Sequence, residues 1–238
     1  MTQTFLKAKW QKLIMANYAV PPEVLLPYLP KGVELDYFDG KVYVSLVGFL
    51  FKDTSLFHVP IPLLGTFEEV NLRFYVVRKI GNELRRGVVF INETVPNKIV
   101  ASIANKLYKE HYTAVPTQHT WLHQAQTQEV SYRMQVQTQW QELKVQASMQ
   151  QQPMQTGSIE EFIFEHYYGY TRVDDQRSIE YKVNHPRWEI HPIHSYNIAF
   201  DFGACYGSDF GFLNGAEPQS VMLAEGSEVS VDWKRVQF

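Results

Sequence analysis

Apolar and polar positions alternate with a period of two through much of the chain, the pattern of strands rather than helices. In residues 67–77, FEEVNLRFYVV, Phe67, Glu69, Asn71, Arg73 and Tyr75 share one face, and Glu68, Val70, Leu72, Phe74 and Val76 share the other. Residues 41–52 and 67–79 are rich in β-branched and aromatic side chains, and Gly81-Asn82 turns the second run into residues 87–92. This predicts an antiparallel meander. The glutamine-heavy region 124–155 alternates as well. Tyr132, Met134 and Val136 interleave with Arg133, Gln135 and Gln137, and Leu143, Val145 and Ala147 repeat the pattern, so a hairpin with a polar outer face is expected. Short strands are expected at 169–173, 178–184, 195–200, 219–223 and 228–236.

The period changes to that of a helix at residues 98–109. There Asn97 is the expected N-cap, and Ile99, Ile103 and Leu107 with Val100, Ala104 and Tyr108 form an apolar face. A second short helix starts at Ser158, where Ser158-Ile159-Glu160-Glu161 has the form of a capping box. Pro21, Pro22, Pro27 and Pro30 confine residues 23–28 to a turn-like piece before an Asp39-Gly40 turn. No internal repeat or linker breaks the series. A single mainly β (α+β) domain over residues 1–238 is therefore expected.

Composition narrows the partners. The 22 Lys and Arg against 25 Asp and Glu leave a formal charge of -3, and the basic residues are scattered, which argues against nucleic acid. No run approaches the roughly 18 apolar residues of a membrane helix, and the N-terminal residues lack a signal-peptide core. A cytoplasmic protein whose partner is a small molecule, without membrane contact, is the expectation, and assembly as a homo-oligomer is compatible with it. Cys205 is the single cysteine, so no internal disulfide or CxxC site exists, and a packed thiol is expected.

Motif by motif, metal and cofactor sites find little support. His119 and His123 have zincin spacing, but Thr120 stands where the general-base glutamate belongs. His185, His191 and His194 lie among Pro186, Trp188 and Pro192 and read as loop histidines packed on aromatics. Gly203, Gly207, Gly211 and Gly215 recur without the Lys-Ser or Lys-Thr of a phosphate cradle, and no Gly-x-Ser-x-Gly elbow occurs. No metal or cofactor is expected.

In a simple sandwich the Val70-Leu72-Phe74 face would be core and Glu69, Asn71 and Arg73 would face water. A resemblance points the other way. Pro22-Glu23-Val24-Leu25, Gly32-Val33-Glu34-Leu35-Asp36, Gly40-Lys41-Val42-Tyr43-Val44-Ser45-Leu46, residues 67–76, Ser158-Ile159-Glu160-Glu161-Phe162 to His166-Tyr167, and His185-Pro186-Arg187-Trp188 occur in that order. They resemble the YqjF-like uncharacterised conserved family, domain of unknown function 2071. That family is similar to acetoacetate decarboxylase, which implies a large antiparallel β-barrel with an internal pocket and two or three short flanking helices. In that enzyme a glycine-x-aromatic-x-glutamate segment leads the strand bearing an active-site glutamate. Here Gly65-Thr66-Phe67-Glu68-Glu69 has the same form and implies that Glu69, with Asn71 and Arg73, points inward.

The enzyme's proline and paired lysines, one of which forms a Schiff base, correspond to His111-Tyr112-Thr113, while Lys106 and Lys109 belong to the amphipathic helix. Lysine imine chemistry is accordingly not expected. The resemblance and the residue types make Glu69, Tyr112 and His111 the catalytic candidates and Asn71, Arg73 and Tyr75 the ligand-binding candidates. Burial would raise the Glu69 pKa and Arg73 would lower it. Two readings follow: a lyase-like enzyme acting on a small carbonyl acid, and a noncatalytic barrel for a carbonyl- or carboxylate-containing ligand. An interaction module using Trp121 and Trp188 is a third.

Overall fold

The computed structural model describes residues 4–57, 59–60, 64–233 and 235–238. In chain order the elements are β1 (Thr4–Val20), α1 (Pro22–Leu25), β2 (Glu34–Leu35), β3 (Val42–Leu56), β4 (Val59–Pro60), β5 (Phe67–Ile80), β6 (Glu83–Val95), α2 (Lys98–Tyr108) and β7 (Tyr112–Ala114). There follow β8 (Thr117–His123), β9 (Thr127–Val136), β10 (Gln139–Ser148), β11 (Gln152–Pro153), α3 (Ile159–Phe164), β12 (Tyr168–Arg172), β13 (Ser178–Asn184) and β14 (Glu189–His191). The last are β15 (Ile193–Ala199), α4 (Phe202–Tyr206), β16 (Ser220–Asp232) and β17 (Val236–Gln237). The 3-10 segments Leu26–Tyr28 and Ser208–Leu213 follow α1 and α4.

Strands β16, β1, β3, β5, β6, β12 and β13 pair in that order, and β13 pairs back to β16 through Val183 and Val231, so the large sheet forms a ring. Pairing around it is antiparallel except where β12 runs parallel to β6. A second sheet, β15-β10-β9-β8, carries the expected hairpin of β9 and β10. It packs Val130, Tyr132, Met134, Leu143, Val145 and Ala147 against the outward face of β1, β3 and β5.

Both faces of the ring strands are therefore buried, and the two faces hold different cores. Val70, Leu72, Phe74 and Val76 of β5 point outward into the core shared with the second sheet. Each such fully buried apolar side chain stabilises the fold by about 1.5–3 kcal/mol. Phe67 and Tyr75 point inward with Met15, Val47, Phe49, Phe51, Val88 and Trp188. The polar members of the same face, Glu69, Asn71 and Arg73, are buried with them. In a simple sandwich this face would have met water; the β12-β13 closure and α3 cover it.

Bulges decide which side chains enter the ring. Strand β1 lacks a continuous alternation because Lys12 sits at φ 52° and the register with β3 shifts between Gln11 and Ile14. Leu6, Ala8 and Trp10 point inward before the bulge, Leu13 and Met15 after it. Tyr132 donates its hydroxyl to the Lys12 carbonyl at 2.9 Å, satisfying the bulged backbone from the second sheet. β16, expected as two strands, is one, interrupted in phase at Gly226, whose φ is 86°. A Cβ at Gly226 would stand 2.0 Å from the Trp10 carbonyl oxygen, so only glycine fits.

Helix α2 has the expected cap: the Asn97 side chain accepts from the Ile99 and Val100 amides at 2.8 and 3.4 Å. Its apolar face is not uniformly buried, however. Ile99 is 58% and Ile103 39% exposed, whereas Ala101 is buried; the Tyr108 side chain lies outside the described residues. At α3, Ser158 accepts from the Glu161 amide as expected, but the Glu161 carboxylate takes the Gly157 amide instead of completing the box at Ser158. Among the described residues, no helix is long and apolar enough to cross a membrane.

Candidate functional site

Inside the ring, β5 presents Glu69, Asn71 and Arg73 in succession at alternate positions, all lining a cavity of about 100 Å³. The Asn71 amide donates to Glu69 Oε1 at 2.8 Å, and among the described residues the Asn71 Oδ1 has no partner. Arg73 is 8% exposed, yet no carboxylate stands within ion-pair distance of it among the described residues. Among the described residues its Nη2 makes a 3.7 Å contact with the Met15 sulfur and its Nε has no partner.

A bulge in β6 adds the next group. Leu72 pairs with Asn92 but Arg73 pairs with Phe90, so Ile91 is the extra residue and the alternation reverses there. Val88 and Phe90 face the cavity before the bulge and Glu93 after it. Glu93 is opposite Asn71 on β5 and alongside Tyr112 on β7. Tyr112 donates its hydroxyl to Glu69 Oε2 at 3.3 Å.

Glu110 enters from the loop after α2, where Lys109 takes a left-handed conformation (φ 60°) and turns the chain inward. Its Oε1 accepts from Thr171 at 2.5 Å and from Tyr181 at 2.9 Å. Gly169 permits that arrangement, because a Cβ there would lie 2.1 Å from the Tyr181 ring. His166, just after α3, bonds Asp36 through Nε2 at 3.1 Å, while among the described residues its Nδ1 has no partner. Trp10, Phe49, Phe51, Phe164 and Trp188 complete an aromatic wall.

Three carboxyls in so little space alter one another's ionisation. Burial pushes Glu69 up to about 7, against hydrogen bonds from Asn71 and Tyr112 and the charge of Arg73, which pull it down. Burial also pushes Glu110 up to about 7, opposed by Thr171 and Tyr181. Glu93 lies well above the carboxylate range, because burial is reinforced by the charges of Glu110 and Glu69. Burial, together with the charges of Glu69 and Glu93, raises the Tyr112 phenol well above its ordinary value. Near neutral pH the cluster therefore retains protons and shares them. The imidazoles are shifted toward neutrality: burial lowers His166 despite Asp36, and burial lowers His185, stacked on Trp188 at 4.2 Å, to about 4.

Four of the expected site residues, Glu69, Asn71, Arg73 and Tyr112, meet at this one cavity. Two do not. The His111 residue is exposed, and it serves the site only through its backbone carbonyl, which accepts from the Glu93 amide and the Asn92 side chain. Tyr112 and His111 are neighbours on one extended stretch, so only one of them can face inward. Tyr75 points inward but sits behind the cavity wall, its hydroxyl 2.6 Å from Ser45 and its ring against Phe162 and His166. Glu93, Glu110 and His166 were not anticipated. A glutamate in the β-branched run of β6 was the available signal for Glu93.

Other sequence candidates resolve elsewhere. His119 bonds Glu68 at 2.6 Å on the far face of β5, and no cluster of metal-ligating side chains is found among the described residues. Burial pushes the Cys205 thiol up to about 12, consistent with a packed rather than nucleophilic sulfur. Trp188 is buried in the cavity wall, which removes it as an exposed contact residue. No lysine lines the cavity among the described residues; Lys106 and Lys109 are exposed.

The sequence profile of domain of unknown function 2071, an uncharacterized conserved protein, matches residues 7–228. The chain belongs to this family. It is 29% identical over 75 residues to the uncharacterized protein YqjF of Bacillus subtilis (strain 168), a match spanning 31% of each chain. Solved structures share the fold over nearly the whole chain. The enduracididine biosynthesis enzyme MppR, complexed with pyruvate, superimposes with a TM-score of 0.65 at 12% identity, covering 100% of this chain and 91% of MppR. An acetoacetate decarboxylase-like enzyme from Sphingomonas wittichii RW1 gives 0.65 at 11% identity, covering 99% and 93%. An acetoacetate decarboxylase gives 0.66 at 10% identity, covering 98% and 89%. The fold of this DUF2071 member is that of the acetoacetate decarboxylase-like enzymes.

Proposed function

We propose that the cavity binds a small oxo acid and catalyses a lyase-like proton transfer on it without a lysine imine. The observation that carries this reading is Arg73: a buried guanidinium that faces a cavity and, among the described residues, has an unpaired Nε and no carboxylate at ion-pair distance. A planar guanidinium of this kind pairs with a carboxylate through two parallel hydrogen bonds, and in a water-poor cavity such a pair is strong. With the ligand carboxylate on Arg73, the Glu69-Tyr112 pair is placed for the adjacent carbonyl. Tyr112 supplies a hydroxyl donor, and Glu69, raised to about 7, takes or gives a proton near neutral pH. The pyruvate held by MppR gives the same ligand class on the same fold.

The test is proton exchange and turnover of pyruvate and acetoacetate in D₂O, followed by ¹H NMR. The wild type should exchange the protons next to the carbonyl or release product, and Glu69→Gln should slow this by about 10²–10⁴-fold, the ordinary range for a general acid or base. Stoichiometric binding without exchange or turnover would make the protein a noncatalytic binding barrel. Absence of binding by folded protein would sink the reading altogether.

A further inference from the structure

A second cavity, also of about 100 Å³, borders the first through four shared side chains, Leu6, Phe51, Glu69 and Tyr112. Its roof is helix α2. Val100, Ile103, Ala104 and Leu107 follow the i, i+3, i+4, i+7 spacing of an apolar helical stripe, and that stripe lines the cavity instead of filling it. The smallest of the four, Ala104, stands where a larger residue would close the space. Apart from Thr54, the walls not shared with the first cavity are apolar. Its polar groups are Thr54, whose buried Oγ1 has no partner among the described residues, and the shared Glu69 and Tyr112; along the rest of the lining the empty space forfeits dispersion contacts.

We infer that this second cavity receives an alkyl arm of the ligand, so that the substrate class is a medium-chain 2-oxo acid rather than pyruvate itself. The inference rests on the oxo-acid reading above. The acid group occupies the first cavity at Arg73, and the chain continues past Glu69 and Tyr112 beneath α2. An engineered cavity of about 150 Å³ takes benzene, so about 100 Å³ takes an arm of about three to five carbons.

Calorimetric titration of unbranched 2-oxo acids from pyruvate to 2-oxooctanoate tests it. The wild type should gain about fourfold in affinity per added methylene until the arm is full, the value of about 0.8 kcal/mol per buried methylene. Ala104→Phe should abolish that gain and leave pyruvate binding unchanged; Ala104→Leu, a smaller intrusion, does the same in part and serves if the phenylalanine variant does not fold. Affinity that is flat along the series in the wild type, or a gain retained in both variants, overturns the apolar subsite while leaving the Arg73 reading intact. If no oxo acid binds, 1-hexanol decides: thermal stabilisation of the wild type that disappears in the variants keeps the subsite and rejects the carboxylate, and no stabilisation rejects both.

Discussion

Replacing Glu110 by Gln removes a titratable group while keeping the oxygen that accepts from Thr171 and Tyr181. Burial raises Glu110 from 4.5 to about 7 in the folded protein. The folded state then holds a proton that the unfolded chain releases, so this carboxyl's contribution to stability is fully present below about pH 4.5 and lost as the pH rises through about 7. Between pH 5 and pH 8 that loss comes to about 2–3 kcal/mol, taking about 1.4 kcal/mol for each pKa unit. The Gln variant has no such loss. Relative to the wild type it should therefore gain about 2–3 kcal/mol on going from pH 5 to pH 8, and relief of the charge on Glu93 acts in the same direction. Urea denaturation of both proteins at the two pH values measures this, and in a chain of this size the thermal midpoints should diverge by about 5–10 °C. A stability difference that is the same at both pH values, or a variant that weakens relative to the wild type as pH rises, would refute the buried and protonated cluster.

Two further predictions concern the scaffold. Gly169→Ala places a Cβ 2.1 Å from the Tyr181 ring, so it should cost about 1–3 kcal/mol in urea denaturation and loosen the Tyr181 contact with Glu110; an unchanged midpoint would contradict the packing. Asn97→Ala removes the cap of α2 and should cost about 0.5–2 kcal/mol while leaving pyruvate affinity unaltered, both read from the same preparation.

How much of this was legible depended on whether the signal survived the bulges. β5 has no bulge within Phe67–Ile80 that interrupts the Glu69-Asn71-Arg73 series, and its two faces could be separated by alternation alone. Which face turned inward could not, because both are buried and the apolar one meets a second sheet; the resemblance to the decarboxylase-like fold carried that decision. β1 carries no alternating signal because Lys12 breaks its phase and because Leu13 to Tyr18 is buried on both faces. Glu93 follows the Ile91 bulge, so counting by twos from Val88 places it on the wrong face. Glu110 depends on the left-handed turn at Lys109, a non-glycine residue with no sequence mark of that conformation. His111 and Tyr112 were adjacent candidates, and only the parallel pairing of β7 with β6 chooses between them.

The measurement that tests the central claim most directly is calorimetric binding of pyruvate to the wild type and to Arg73→Met, which keeps a side chain of similar length and removes the guanidinium. The wild type should bind one molecule per chain. The variant, shown to be folded by circular dichroism, should bind at least about tenfold more weakly, as expected for loss of a charge-assisted pair of about 1.5–3 kcal/mol. Equal affinity in the two proteins, or no binding by folded wild type, would contradict the assignment of Arg73 as the anchor of an oxo acid.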